Sequence, residues 1–359
     1  MPLLMILALF SAPVAHAQSA KTLSKASRFI GPDQDSERIR RGFQMLSDAI
    51  RAAPEQATPA GLWLQADAAA LLAIRDDNSL ASATIALESY ERAAKSPLDD
   101  RDLVVYAMLE GFLHERAQAY DNAKTPQERT LALEAAQLYL RADDIRILLD
   151  QSKPVERARR YMLAVSCALA AEEVRAARKL FEELDAMGGF IEPLALRVAS
   201  AVEEGEGPHQ AFVFLKGVVE KHPRRRKLLD AYLQLCAANG WSTDGLAAVD
   251  RAVDHYGDGY DEHLRLAGYF EGFDAPDRAL EHYRSALRLA PRSFDANWRY
   301  ASLLARQADA NPDPEAARSI RDAARSAIAV VLESNPESTE ALELLATLDA
   351  GLPEELPAP

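Results

Sequence analysis

A chain of 359 residues with 41 Lys plus Arg against 55 Asp plus Glu carries a formal charge of −14. That balance excludes a nucleic-acid surface, which needs a basic face, and favours a soluble protein with a basic or neutral partner. Hydrophobic residues make up 48%, enough for a continuous core. Abundant Ala, Leu, Arg and Glu, with no Val/Ile/Thr-rich runs at a period of two, predict an all-α chain.

Residues 1–17 differ from the rest. Pro2–Phe10 is wholly apolar, Ser11–Pro13 breaks the run, and Ala15-His16-Ala17 forms a small-x-small site. The pattern reads as a secretory signal peptide cleaved after Ala17, placing the mature protein in the periplasm or outside the cell. No Lys or Arg precedes the run, and a short buried helix is the alternative. The run is shorter than the ~20 residues a bilayer span needs, so the chain is not expected to span a membrane. Residues 18–35, polar and containing Gly31-Pro32, are expected to be a flexible leader. Residues 36–157 form an irregular helical stretch. Gly42, Leu46, Ala49 and Pro54 mark one helix and its end. Trp63–Ile74 reads as the first helix of a pair, and Ala86, Tyr90 and Ala93 with Pro97 as its second. Asp99–Tyr120 and Pro126–Ala142 read as a longer hairpin.

A fixed period of 34 residues governs 158–293. Gly189, Pro223, Gly257 and Pro291 hold one column of helix breakers. Upstream run a small column (Ala177, Ala211, Gly245, Ala279), a large apolar one (Phe181, Leu215, Val249, Tyr283), and a third of Leu184, Val218, Ala252 and Ala286. Two more follow the first helix of each unit: Val165, Ala199, Leu233, Ala267, Ala301, and Ala164, Val198, Tyr232, Leu266, Tyr300. A period of this length marks a repeat architecture. The small residue lets two helices approach, the large one fills the groove between them, and Gly or Pro stops the second helix. After Ser293 come a first helix at Phe294–Ala308, a long second helix at about Pro314–Glu333, and a capping helix at Thr339–Ala350. Residues 351–359 are expected to be a disordered tail.

The stretch HLRLAGYFEGFDAPDRALEHYRSALRLAP, from His263 to Pro291, resembles the tetratricopeptide repeat family. Leu266, Ala267, Phe270, Ala279, Tyr283, Ala286 and Pro291 match the consensus types, while His263 stands where the family prefers Trp. The resemblance is strict over 158–293 and looser on both sides. It implies a right-handed α-solenoid of antiparallel helix pairs whose first helices line a concave groove. That face would carry Arg159, Met162, Ser166, Lys227, Asp230, Gln234, Asp261, Leu264, Trp298, Ser302 and Arg306. Of these, Arg159, Met162, Lys227, Asp230, Gln234, Trp298 and Arg306 are the candidate partner-binding set. Trp298 could equally pack under the long following helix. The Lys/Asn/Arg clamp of the family's chaperone-tail binders is not repeated here.

Other constellations give less. Cys167 and Cys236 lie in first helices two frames apart, on the order of 20 Å by helix spacing, beyond the ~7 Å limit for a bridge; two free, buried thiols are expected. His255, His263 and His282 lie near acids without metal-ligand spacing, and acids at Asp261 and Glu262 suit a helix start. No metal or other cofactor is implied. His222-Pro223-Arg224-Arg225-Arg226-Lys227 is a concentrated positive run, either an anion or acidic-peptide contact or a solvated turn. No nucleophile motif or phosphate-binding loop appears. Nothing in the sequence sets the oligomeric state. The expected function is an exported, non-catalytic scaffold binding a protein or peptide in its groove, in cell-envelope or secretion-related assembly. The alternatives are a glycan- or lipid-handling envelope protein, or an accessory subunit of an enzyme with its site in the irregular N-terminal half.

Overall fold

The computed structural model describes residues 21–54, 57–75, 79–95, 103–149, 153–256 and 258–350. Among them the chain is helical throughout, with turns and no strand. It divides into two compact units, one running to Gly205 and one from Glu206. The boundary falls between the two helices of the second regular repeat, beside Gly207 at φ +93°. The signal-peptide segment 1–17, Pro97, Gly257 and the tail 351–359 lie outside the described residues.

The first unit carries α1 (Ser36–Ala52), α2 (Pro59–Arg75), α3 (Leu80–Ala94), α4 (Val104–Gln118), α5 (Pro126–Leu148), α6 (Pro154–Ala170), α7 (Val174–Ala186) and α8 (Glu192–Glu206). Consecutive helices pack as pairs, α2 on α3, α4 on α5 and α6 on α7, and each first helix also meets the next, α2 with α4 and α4 with α6. Local chemistry sets the starts. Thr125 and Glu128 form a reciprocal capping box at α5, satisfying donors a helix leaves open. α5 and α6 place Pro in the first turn, where its missing N–H costs nothing. The core is anchored by Trp63, Tyr90 and Tyr106. Tyr90 meets Trp63 and Tyr106 edge-on, with centroids 4.8 and 4.9 Å apart, and both tyrosines are fully buried. Each such side chain contributes on the order of 1.5–3 kcal/mol by leaving water. The hydroxyls are not stranded, because Tyr90 donates to Asp67 and Tyr106 to the carbonyl of Ala142.

Residues 21–35 depart from the flexible leader expected of them. Residues 21–26 are helical, and Ala26 is fully buried. Phe29 and Ile30 press on α1 so closely that a Cβ on Gly42 would lie 2.7 Å from Ile30 Cγ1. Arg75 ties the segment down by donating to the carbonyls of Pro32 and Gln34. The apolar Phe29-Ile30 pair has surface to bury, and Gly42 provides the place.

The second unit carries α9 (Pro208–Lys221), α10 (Arg226–Ala238), α11 (Ser242–Val253), α12 (Tyr260–Gly272), α13 (Pro276–Leu289), α14 (Phe294–Ala310), α15 (Pro314–Ser334) and α16 (Thr339–Ala350). Its last three helices match the sequence expectation to within two residues. The four small-column and four large-column residues of the two units are all buried. At Gly245 the reason for smallness is explicit, since an added Cβ would sit 2.3 Å from the Phe273 ring. Pro223 and Pro291 follow helix ends closed by His222 N–H to Val218 and Ala290 N–H to Ala286. At the first breaker the left-handed residue is Gly188 (φ +78°) rather than Gly189, whose N–H instead returns to Leu184 at 3.0 Å.

A second 34-residue rhythm emerges only in three dimensions. Glu172, Gly240 and Asp274 take left-handed backbone at φ 61°, 71° and 55°. Each is followed by an N–H reaching back to close its helix at 2.9 Å: Glu173 to Ala168, Trp241 to Cys236 and Ala275 to Phe270. This is the Schellman closure, with two non-glycine residues in a position that favours glycine.

Candidate functional site

In the first unit, a cleft of about 450 Å³ opens between α4 and α6. α4 supplies His114 and Gln118, the 3₁₀ turn Ala119–Asn122 supplies Tyr120, and α5 supplies Tyr139. α6 contributes Glu156, Arg159, Arg160, Met162, Leu163 and Ser166. Two members of the candidate partner set, Arg159 and Met162, thus line one cleft together. Arg159 is exposed and Met162 half-buried.

Arg160, which lines the cleft, belongs to a buried charge cluster that the repeat register did not single out. Arg160 is 6% exposed, Glu110 6% and Asp143 1%. Arg146 clasps Glu110 through Nε at 2.8 and 2.9 Å to the two carboxylate oxygens, and Arg160 Nη1 donates to the same carboxylate at 2.9 Å. Arg157 bridges Asp143 and Asp144, each at 3.2 Å. The buried carboxylates of Glu110 and Asp143 are thus met by three guanidinium groups, the condition under which charge can stay buried, while Asp144 is exposed. The hydrogen bonds it donates to Glu110 hold the Arg146 guanidinium more firmly protonated than usual. The Arg160 guanidinium stacks over the Tyr139 ring, 4.2 Å from its centroid, and burial raises the Tyr139 hydroxyl above its ordinary value. Arg160 Nε has no hydrogen-bond partner among the described residues. A sequence signal existed. Arg160 shares a helical stripe with Tyr161, Ala164, Val165 and Ala168, and Glu110 shares one with Tyr106, Leu109, Leu113 and Ala117. A charge on an apolar stripe needs a buried partner.

In the second unit the candidates fall into two groups. Lys227 and Gln234 are exposed on α10. Asp230 is half-buried and already engaged, accepting from Tyr269 and from Arg265 of α12 at 3.1 Å. Arg306 of α14 pairs with Glu271 of α12, and Arg226 of α10 with Glu262 of α12. These pairs, 35 or 36 residues apart, stitch the first helices of successive repeats, so Asp230 and Arg306 tie those helices together. Trp298 is half-buried and packs against the cluster of Ala301, Ala327, Ile328, Val331 and Ala341, beneath α15 as the alternative reading had it.

Both cysteines are free and buried; burial pushes the Cys167 thiol up to about 12. Of the three histidines, His263 and His282 come together on α12 and α13, while His255 lies exposed at the end of α11. No group of three or more potential metal ligands occurs among the described residues, and none of their helices is long and apolar enough to cross a membrane.

Helix pairs stacked at a 34-residue period define a helical-repeat protein. No protein-family model matches the chain, and no curated protein does. The solved structures similar to it include tetratricopeptide repeat proteins. One from Bacteroides fragilis is 12% identical, covers 68% of this chain and 99% of its own, and has a TM-score of 0.34. YrrB, described as a TPR protein with an unusual peptide-binding site, is 17% identical over 58% of this chain and 96% of its own, with a TM-score of 0.29. The TPR domain of P58(IPK) is 12% identical over 94% and 97%, with a TM-score of 0.27.

Proposed function

We propose that this protein is a non-catalytic repeat scaffold that takes up a protein or peptide partner on the face formed by its first helices. The observation that carries the reading is the α4–α6 cleft. Arg159 and Met162, which the family resemblance places on the first-helix face, line it beside Tyr139, His114 and Glu156. An aromatic and apolar centre with charged edges suits a peptide side chain and its backbone neighbours. Repeats supply such surface readily, because each unit contacts only its neighbours and leaves one face free. Export belongs to the same proposal, resting on the apolar run and small-x-small site of residues 1–17, and would place the partner in the cell envelope or in secretion-related assembly.

Crosslinking pull-down from envelope fractions tests the binding face. An Arg159→Glu/Met162→Ala variant is expected to lose partners that wild type captures, with Lys227→Glu/Gln234→Ala reporting on the second unit. If both variants capture the same proteins as wild type in equal amount, the first-helix face is not the binding surface. A phosphatase fused after residue 40 should be active outside the cytoplasm; a fusion active only inside overturns export.

A further inference from the structure

The helix pair α12–α13 carries one imidazole on each packed face. His263 Nδ1 lies 3.1 Å from His282 Nδ1, with ring centroids 5.4 Å apart. Both rings are half-buried. His282 also lies nearly parallel to Phe270, 5.3 Å away at 15°, and Phe270 is fully buried. One side of the pair therefore faces hydrocarbon rather than water.

A nitrogen–nitrogen contact of this length holds a single proton. One ring must donate and the other accept, since a neutral imidazole has one N–H and one lone pair. Two neutral rings meet that demand, and so do one neutral ring and one imidazolium. Two imidazolium ions do not: both nitrogens become donors, and like charges sit at hydrogen-bond distance. The contact itself therefore opposes a second proton on the pair.

We propose that His263 and His282 form a proton-operated latch between the two helices of this repeat, closed while the rings share one proton and opened when both are charged. Of the surrounding charges, Glu281 favours a charged His282, but burial, His263 and Arg278 oppose it. On α13, Arg278 lies over Phe270 at 4.1 Å and is itself held by Asp250 of α11. Glu281 precedes His282 and is exposed. On α12, Glu262 precedes His263 but is engaged by Arg226 of α10, and Asp261 is exposed. From α14, the polar contacts to α13 reach Arg284 and Asp277 instead. Burial first, and His263 second, lower the affinity of His282 for its proton. A depressed value in the fold gives stability that is complete above the unfolded value of about 6.5 and is lost as pH falls through the folded one. Opening the latch loosens α12, whose exposed face includes Asp261 and Arg265, so mild acid changes the first-helix surface that the proposed function uses. The latch is a property of the free protein and is tested without a partner.

The test uses the full chain and two readouts. In heteronuclear NMR of the imidazole nitrogens, the two rings should show linked titrations, one below the ordinary histidine range, and an inequivalent Nδ1 pair at pH 7.5. In hydrogen exchange corrected for intrinsic rate, the amides of α12 and α13 should open at least tenfold more at pH 5.0 than at pH 7.5. His282→Asn, which keeps a hydrogen bond but cannot charge, should flatten that response, and His263→Gln should do the same. The idea is overturned if the rings titrate independently at ordinary values, or if a folded variant keeps the wild-type pH response. If neither variant folds, the wild-type titration alone decides.

Discussion

The two compact units handle charge in opposite ways. In the first, Glu110, Asp143 and Arg160 are drawn into the interior and closed on one another, with Arg160 lining a cleft. In the second, Asp230, Glu262 and Glu271 stay at or near the surface and pair with arginines one repeat along. A regular repeat can spread its ion pairs along a face because every unit presents the same neighbour. Where the period lapses, helices of unequal length bring unlike residues together, and charge is buried as a local network. Such a network tolerates no missing member, whereas a surface ladder tolerates many.

That contrast can be broken by mutation. Arg160→Ala leaves Glu110 and Asp143 short of a partner in the interior and is expected to cost ~3–5 kcal/mol, read as a drop in the urea midpoint of the transition that reports the first unit. A loss below ~1 kcal/mol would mean the network is wetter than its geometry shows. Gly245→Ala comes next. The Phe273 ring must move to admit the methyl, and overpacking of this kind costs ~1–3 kcal/mol in the second unit, measured by the same titration. Asp274→Gly should act in the opposite sense. Relieving a side chain from left-handed backbone is expected to stabilise by ~1 kcal/mol, seen as a rise in thermal midpoint, and no rise would show that Asp274 gains locally what its backbone loses. Smallest is Arg265→Ala on the surface ladder, expected at ~0.2–1 kcal/mol and shrinking in high salt. An effect as large as that of Arg160→Ala would erase the distinction between the two units.

Much of this architecture was legible beforehand. The columns through Ala177, Phe181 and Leu184 located core faces that are fully buried, because helix pairs that repeat must present the same residue size at the same joint. Helix ends near Ser293, Pro314 and Thr339 were legible because caps and breakers act locally. At the cleft, Arg159 and Met162 come from the first-helix face that the family resemblance implied. Tyr139 and His114 were not singled out, since they come from helices outside the strict period. The packing of residues 21–35 is not legible, because their composition is polar while two residues, Phe29 and Ile30, decide their fate against Gly42.

By itself the sequence determined that the chain is helical, that its middle repeats every 34 residues, which helix faces are core and that its two cysteines stay apart. Those properties depend on residue size and spacing along one chain direction. Only the tertiary structure decided that Arg160 and Glu110 meet, that Asp230 is engaged by Arg265 and Tyr269, and that His263 faces His282 at hydrogen-bond distance. Polar pairing across helices depends on rotation and rise to within an ångström, and periodicity does not carry that precision.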